Sequence, residues 1–270
     1  MIEMKKVSFR YRGSSHYALK NINLNIKRYE ITAIVGRNGA GKSTLLRLLN
    51  GLIPHFYEGE LKGRVLIDGM DTREHSVAEL SRKVGLVFQN PEHMLFADSV
   101  WEEVSFGPKN LKLPNWEELC EKALKETGLV DLKEVSPWSL SGGEMKRLSI
   151  ACVLAMNTDY IALDEPTVGQ DLASRRRISE ILKSLRKEGK GIIVVSHDLE
   201  WILQLNPDRV IVIKKGNIAA DGGPNILGDL NLLAESGLVP PASSIIARAL
   251  GIEFKYREEE LADEIRRCLA

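Results

Sequence analysis

The sequence holds only three cysteines, Cys120, Cys152 and Cys268, an odd number with no CxxC spacing. That argues against a disulfide framework and for a reducing cytosol. An excess of one charge is also missing. Lys plus Arg and Asp plus Glu both count 37, so nothing advertises a nucleic-acid-binding surface. No apolar run approaches the roughly 20 residues that span a bilayer, so any membrane role must come through a partner. Met1-Ile-Glu-Met-Lys-Lys lacks the long apolar core of a secretory signal, and no export is expected. The histidines show no metal-ligand spacing, and no internal repeat or low-complexity tract is evident. What is present, 44% hydrophobic and 27% charged residues in a chain of 270, is the composition of a soluble globular protein with room for one large domain or two small ones.

Met4, Val7 and Phe9, then Ile22, Leu24 and Ile26, alternate with polar positions and predict half-buried antiparallel strands. Farther on, short apolar runs (Ile31-Thr-Ala-Ile-Val35, Tyr160-Ile-Ala-Leu163, Ile192-Ile-Val-Val195) lead into helical segments. Runs buried on both faces and alternating with helices predict a parallel sheet covered on both sides. Residues 91–140 read instead as a helical insertion, with helices over 100–106 and 116–127 and with Gly107-Pro108 and Pro114 as breakers. Ser99-Val-Trp-Glu102 reads as the capping box of the first, leaving Glu102 or Glu103 free to meet a partner. From about Pro224 the tail predicts two short helices split by Pro240-Pro241.

Gly36-Arg-Asn-Gly-Ala-Gly-Lys-Ser-Thr44 fits the phosphate-binding pattern G-x-x-x-x-G-K-[ST] between a buried strand and the apolar helix of Leu45, Leu46, Leu48 and Leu49. Gly39 and Gly41 let backbone N–H groups close on phosphates, and Lys42 neutralises their β and γ charges. Ser43 is the expected Mg²⁺ ligand. Tyr160-Ile-Ala-Leu-Asp-Glu165 is a strand ending in two carboxylates whose side chains point differently. Asp164 then suits the Mg²⁺ shell and Glu165 the attacking water. Ser196-His197-Asp198 cannot be a hydrolytic triad, because three successive residues on an extended chain do not converge on one atom. His197 is either structural or a hydrogen-bonding partner of a γ-phosphate. In Leu140-Ser-Gly-Gly-Glu144, Ser141 and Glu144 read as a capping box ahead of an apolar run. That leaves Gly142 and Gly143 unexplained, since each costs roughly 1 kcal/mol against Ala inside a helix. A bare first turn at a helix N-terminus suits an approaching anion. If the first cradle holds this chain's own ligand, another chain is a candidate source of that anion.

GRNGAGKST, LSGGE, YIALDEP and SHD in this order resemble the ATP-binding cassette ATPases, the motors of ABC transporters, from Met1 to about Asp221. The resemblance implies an α/β P-loop NTPase fold: a mixed, mainly parallel core sheet, an antiparallel N-terminal β-subdomain, a helical insertion and a small C-terminal helical extension. It implies ATP and Mg²⁺ as ligands and two cassettes sandwiching two ATP molecules, the phosphate loop of one (Gly36, Arg37, Asn38, Gly39, Ala40, Gly41, Lys42, Ser43, Thr44) facing Ser141, Gly142, Gly143 and Glu144 of the other. By the same resemblance Tyr11 stacks on adenine, or is an ordinary strand aromatic. Gln89 contacts Mg²⁺ and water, and Asp171 reaches the partner's site, although Gln170 replaces the usual leucine beside it.

A narrower likeness lies in Val87-Phe-Gln-Asn-Pro91, Leu95-Phe96-Ala97, Val104-Ser-Phe-Gly-Pro108 and Asn110-Leu-Lys-Leu-Pro114, with the tail Gly237-Leu-Val-Pro-Pro241 and 245–250. These resemble the ATPases of energy-coupling factor transporters, although His93-Met94 stands where Asp-Gln is common. The likeness implies import of a vitamin, cobalt or nickel, and a peripheral position on the cytoplasmic face of the membrane. It also implies a second ATPase subunit and membrane subunits docked on the helical insertion. The expected units are an ATPase domain over 1–223 and an extension over 224–270. Two rival readings are a non-transport ABC ATPase, such as a repair or ribosome-acting protein, and a binding-only cassette. The chain lacks the long coiled coil of the repair proteins and the second cassette of the ribosome factors. Its intact Lys42, Glu165 and His197 argue against a binding-only cassette.

Overall fold

The computed structural model describes residues 1–269. Ten strands build two sheets: β1 Ile2–Tyr11, β2 Leu19–Ile26, β3 Ile31–Val35, β4 Gly59–Ile67, β5 Met70–Asp71, β6 Val84–Val87, β7 Tyr160–Asp164, β8 Gly191–Ser196, β9 Arg209–Lys214 and β10 Asn217–Gly222. A four-stranded antiparallel sheet has the order β2-β1-β4-β5, and a six-stranded sheet the order β10-β9-β3-β8-β7-β6. The second is parallel except for β10, which returns antiparallel beside β9. Its central strands are buried at every position, as β-branched runs covered on both faces require. One face carries Leu45 and Leu49 together with Phe9, Leu19 and Ile22 of the antiparallel sheet. The other carries Ile178, Leu182, Trp201 and Ile202.

Met4 and Val7 are three apart yet both buried, which simple alternation forbids. The register of β1 shifts between them and Lys6 has φ 52°, a bulge that resets the inward face. Opposite it, a Cβ on Gly63 would come within 2.4 Å of the carbonyl oxygens of Lys5 and Lys6, so only glycine fits β4 there.

The helical insertion has its own core of Val104, Cys120, Leu124, Leu148 and Ala151, from helices Val100–Asn110, Trp116–Thr127 and Gly142–Ala155. Gly107-Pro108 does not end the first helix, which runs on to Asn110. Proline removes the N–H that would bond the carbonyl of Val104, and the buried Cys120 Sγ takes its place at 3.7 Å. Burial pushes the Cys120 thiol up to about 11, so it stays protonated. Ser99 accepts from the Glu102 N–H, but the reciprocal bond of a capping box is absent. Glu103 is not free either. It is buried and accepts from the N–H groups of Phe96 (2.7 Å) and Ala97 (2.8 Å), closing the loop before the helix.

After β10 come three helices rather than two: Leu230–Glu235, Ala242–Leu250 and Glu258–Leu269. The last docks through Leu261. Of the expected extension, Ala270 lies outside the described residues.

Asp68, in the turn between β4 and β5, joins the two sheets. It accepts from the N-terminal ammonium, from Arg28 (2.8 Å) and from the Tyr160 hydroxyl of β7 (3.0 Å). Burial would raise its pKa, but the three donors outweigh burial and hold the carboxyl down at about 2, from an ordinary 3.8. A carboxyl depressed by folding stabilises fully above its unfolded value and loses that contribution as pH falls through its folded one. The urea-midpoint gap between the wild type and Asp68→Asn is therefore expected to shrink between about pH 5 and about pH 2.

Candidate active site

At the end of β3 the chain turns through residues 36–41 into helix Lys42–Leu49. Gly41 has φ 111°, and a Cβ there would lie 2.5 Å from the Ala18 carbonyl oxygen. Conformation and space both demand glycine. Lys42 Nζ is buried and donates to the carbonyls of Gly36 (2.7 Å) and Arg37 (3.3 Å), bracing the loop from within. Ala40 N donates to the Arg37 carbonyl and closes the turn. A cavity of about 400 Å³ opens over this loop, lined by Tyr11, Asn38, Lys42, Ser43, Gln89 and Asp164, with Gly39, Gly41, Thr44 and Glu165 completing its wall.

The two carboxylates at the end of β7 line the same cavity but take different partners. Glu165 takes φ 46°, uncommon for a side chain of its size. Its Oε1 lies 2.9 Å from His197 Nδ1 and 3.6 Å from Lys42 Nζ, and His197 N donates to Oε2 at 3.3 Å. Asp164, in the same wall, stands beside Ser43. Burial raises its pKa, against a hydrogen bond from Ser43 that lowers it. Its Oδ1 is buried with no hydrogen-bond partner. A lone buried carboxylate oxygen beside a hydroxyl, in a cavity that Gln89 also lines, fits the oxygen donor set of Mg²⁺.

The phenol of Tyr11 is half-buried at the cavity edge, its oxygen 3.1 Å from Thr44 Oγ1 and accepting from Arg47 at 3.0 Å. This ties the aromatic to the phosphate-loop helix. The second glycine cradle lies outside the cavity. Ser141 and Glu144 form the reciprocal capping box, and a Cβ on Gly142 would meet nothing within 4 Å. Nothing inside this chain requires glycine there. Asp171 caps helix Leu172–Lys187 through the Ser174 N–H at 2.8 Å. Gln170 turns its buried, unpartnered Oε1 towards Gly143.

Sequence reasoning missed Lys146. It is 2% exposed and donates to the carbonyls of Phe88 (2.9 Å) and Gln89 (2.8 Å). Burial pushes its ammonium down to about 8, against the attraction of Asp164 and Glu165. The signal was helical period: Lys146 lies four and seven residues before Ile150 and Val153, on the buried face.

Residues 19–168 match the family described as ABC transporter. The chain belongs to the ATP-binding cassette family of transporter ATPases. The cassette is 42% identical over 242 residues to the energy-coupling factor transporter ATP-binding protein EcfA of Carboxydothermus hydrogenoformans, covering 89% of this chain and 87% of that one. Among solved structures, cbiO1 from Clostridium perfringens, part of the ABC transporter complex cbiONQ, is 35% identical with a TM-score of 0.74, covering 92% of this chain and 98% of the other. A dimeric ATP-binding cassette in a post-hydrolysis state, bound to ADP and Pi, is 31% identical with a TM-score of 0.73, covering 83% and 99%. The cassette is thus an ATPase of the P-loop fold with a mixed sheet and an antiparallel N-terminal sheet.

The geometry places a buried cation, Lys42, in the turn of residues 36–41, and a buried carboxylate, Glu165, against His197. With Glu165 as the base, Glu165→Gln would keep the shape and remove the base, and turnover would be expected to fall roughly 10²-fold or more. Single-turnover measurement with ATP and Mg²⁺ checks this, and near-normal turnover would move the base elsewhere.

Proposed function

We propose that the cassette is one of a pair of ATP-hydrolysing subunits of an energy-coupling factor type importer for a vitamin or a transition-metal ion such as cobalt or nickel. The observation that carries the pairing is the bare Gly142-Gly143 turn, exposed at Gly142, half-buried at Gly143 and outside the chain's own cavity. Its helix of 14 residues presents N–H groups and a positive dipole end. The partner's nucleotide is the anion it takes, with Ser141, Glu144 and Asp171 at the same rim. Within the chain's own cavity, residues 36–44 wrap the phosphates and Tyr11 meets the base. Ser43, Gln89 and Asp164 would hold Mg²⁺, which when bound neutralises charge on the β- and γ-phosphates. Glu165 orients the water and takes its proton, and His197 fixes the carboxylate and meets the γ-phosphate. The likeness to EcfA and to cbiO1 supports the importer branch.

No helix among the described residues is long and apolar enough to cross a membrane, so the path to the bilayer runs through docking on the cytoplasmic face. The helical insertion over about 91–140 is the proposed docking surface, within an ATPase domain over 1–223 followed by the extension. There Phe96 and Phe106 are exposed and stack edge to face at 4.7 Å, beside the exposed Glu102. An arginine of a membrane subunit would find an apolar seat and a carboxylate together.

Ser141→Arg is expected to abolish turnover while nucleotide binding by the isolated chain stays within about threefold, read by a fluorescent ATP analogue. Equal loss of both would remove the assignment to a partner's nucleotide. Phe106→Ala with Glu102→Lys is expected to cut co-purification of the membrane subunits by about tenfold with ATP binding intact, the scale of a lost interface anchor. Identifying those subunits and their bound solute by mass spectrometry tests the importer reading. Undiminished recovery of the complex would place docking on another face.

A further inference from the structure

Lys146 is a buried ammonium hydrogen-bonded to no carboxylate. Both of its bonds go to successive carbonyls, Phe88 and Gln89, in the loop that leaves β6. Taking an ammonium out of water is unfavourable, and an apolar side chain at this point of the helix would avoid that penalty. The loop supplies the reason for a donor, because past Val87 the strand ladder has ended and these carbonyls have no neighbouring strand. The position is also particular. Lys146 stands one helical turn from Gly142 on a continuous helix, Gly142–Ala155. The far end of that helix is seated on β6, where a Cβ on Gly85 would run into Val153 at 2.4 Å. One end of this rigid rod is thus the bare turn assigned to the partner's nucleotide, and its first internal turn grips the residue that lines this chain's own cavity.

We propose that Lys146 is a positioning residue that carries the state of the partner-facing helix end to Gln89, so that the two nucleotide sites of a pair hydrolyse ATP cooperatively. The inference rests on the paired-cassette reading above. A nucleotide gripped at Gly142-Gly143 fixes the first turn of the helix, and Lys146 then fixes the Gln89 backbone. Without the ammonium, Gln89 is held only by its own loop, and each site fires without reference to the other.

The test uses the full chain with ATP and Mg²⁺ and two variants: Lys146→Met, which keeps length but no donor, and Lys146→Gln, which keeps an amide donor. For the wild type the Hill coefficient of turnover is expected to be about 2, one contribution per site. Lys146→Met is expected to bring it to about 1 and to lower kcat about tenfold, with KM for ATP changed by less than about threefold. Lys146→Gln is expected to recover part of both losses. If the Met chain does not fold, the Gln chain against wild type carries the same comparison, with an intermediate Hill coefficient expected. A cooperative wild type with equally cooperative variants would overturn this inference alone. So would variants whose kcat, KM and urea midpoint fall together, since that marks a merely structural lysine. A wild type that shows neither cooperativity nor ATP-driven dimers in size exclusion would overturn the paired reading and this inference with it.

Discussion

Lys42 holds its ammonium, 6% exposed, between the carbonyls of Gly36 and Arg37 and within 3.6 Å of the Glu165 carboxylate. A buried charge needs such partners. Meeting the need draws three strand ends to one point: β3 through its loop, β7 through Glu165 and β8 through His197. The parallel sheet makes this possible, because parallel strands bring their carboxyl ends to one edge, where ligands of α/β proteins gather. The rest of the cavity follows from that convergence. Asp164 is buried beside Ser43 because β7 is covered on both faces, and Tyr11 reaches Thr44 because the antiparallel sheet packs on the helix that Lys42 begins.

The chain divides its polar chemistry between an inside and an outside. Inside, Lys42 donates to the Gly36 and Arg37 carbonyls, Glu165 pairs with His197, and one carboxylate oxygen of Asp164 is left over. Outside, the capping box of Ser141 and Glu144 completes a helix end whose two glycines touch little of their own chain. Between these regions runs a single helix, and its buried face carries the lysine that binds the Gln89 loop. One helix set on β6 thus touches both regions.

Legibility followed the range of the interactions. The P-loop, the strand ending in two acids and the capping box were readable because each is a local pattern in which spacing alone sets geometry. The readings that failed were those in which a distant group intervened. Gly107-Pro108 looked like a helix end, but Cys120, on another helix, supplies the donor that proline removes. Glu103 looked free beside Glu102, but it folds back onto Phe96 and Ala97. The alternation of β1 hid a bulge whose cause is Gly63 on the neighbouring strand. The third C-terminal helix went unread although Leu261, Ile265 and Cys268 recur at helical spacing, and its Leu261 is buried in the fold.

By itself, the sequence determined the fold class and the chemical type of the nucleotide cradle. Backbone periodicity and glycine conformation are properties of neighbouring residues and need no tertiary contact. Tertiary structure decided which polar groups are satisfied and which are left over. It committed Glu103 to a loop, set His197 against Glu165, left Asp164 Oδ1 without a partner and turned Lys146 towards Gln89. Burial changes the free energy of a charge by more than any local preference does. Burial in turn depends on elements tens of residues apart, so the role of each charge became readable only in the folded chain.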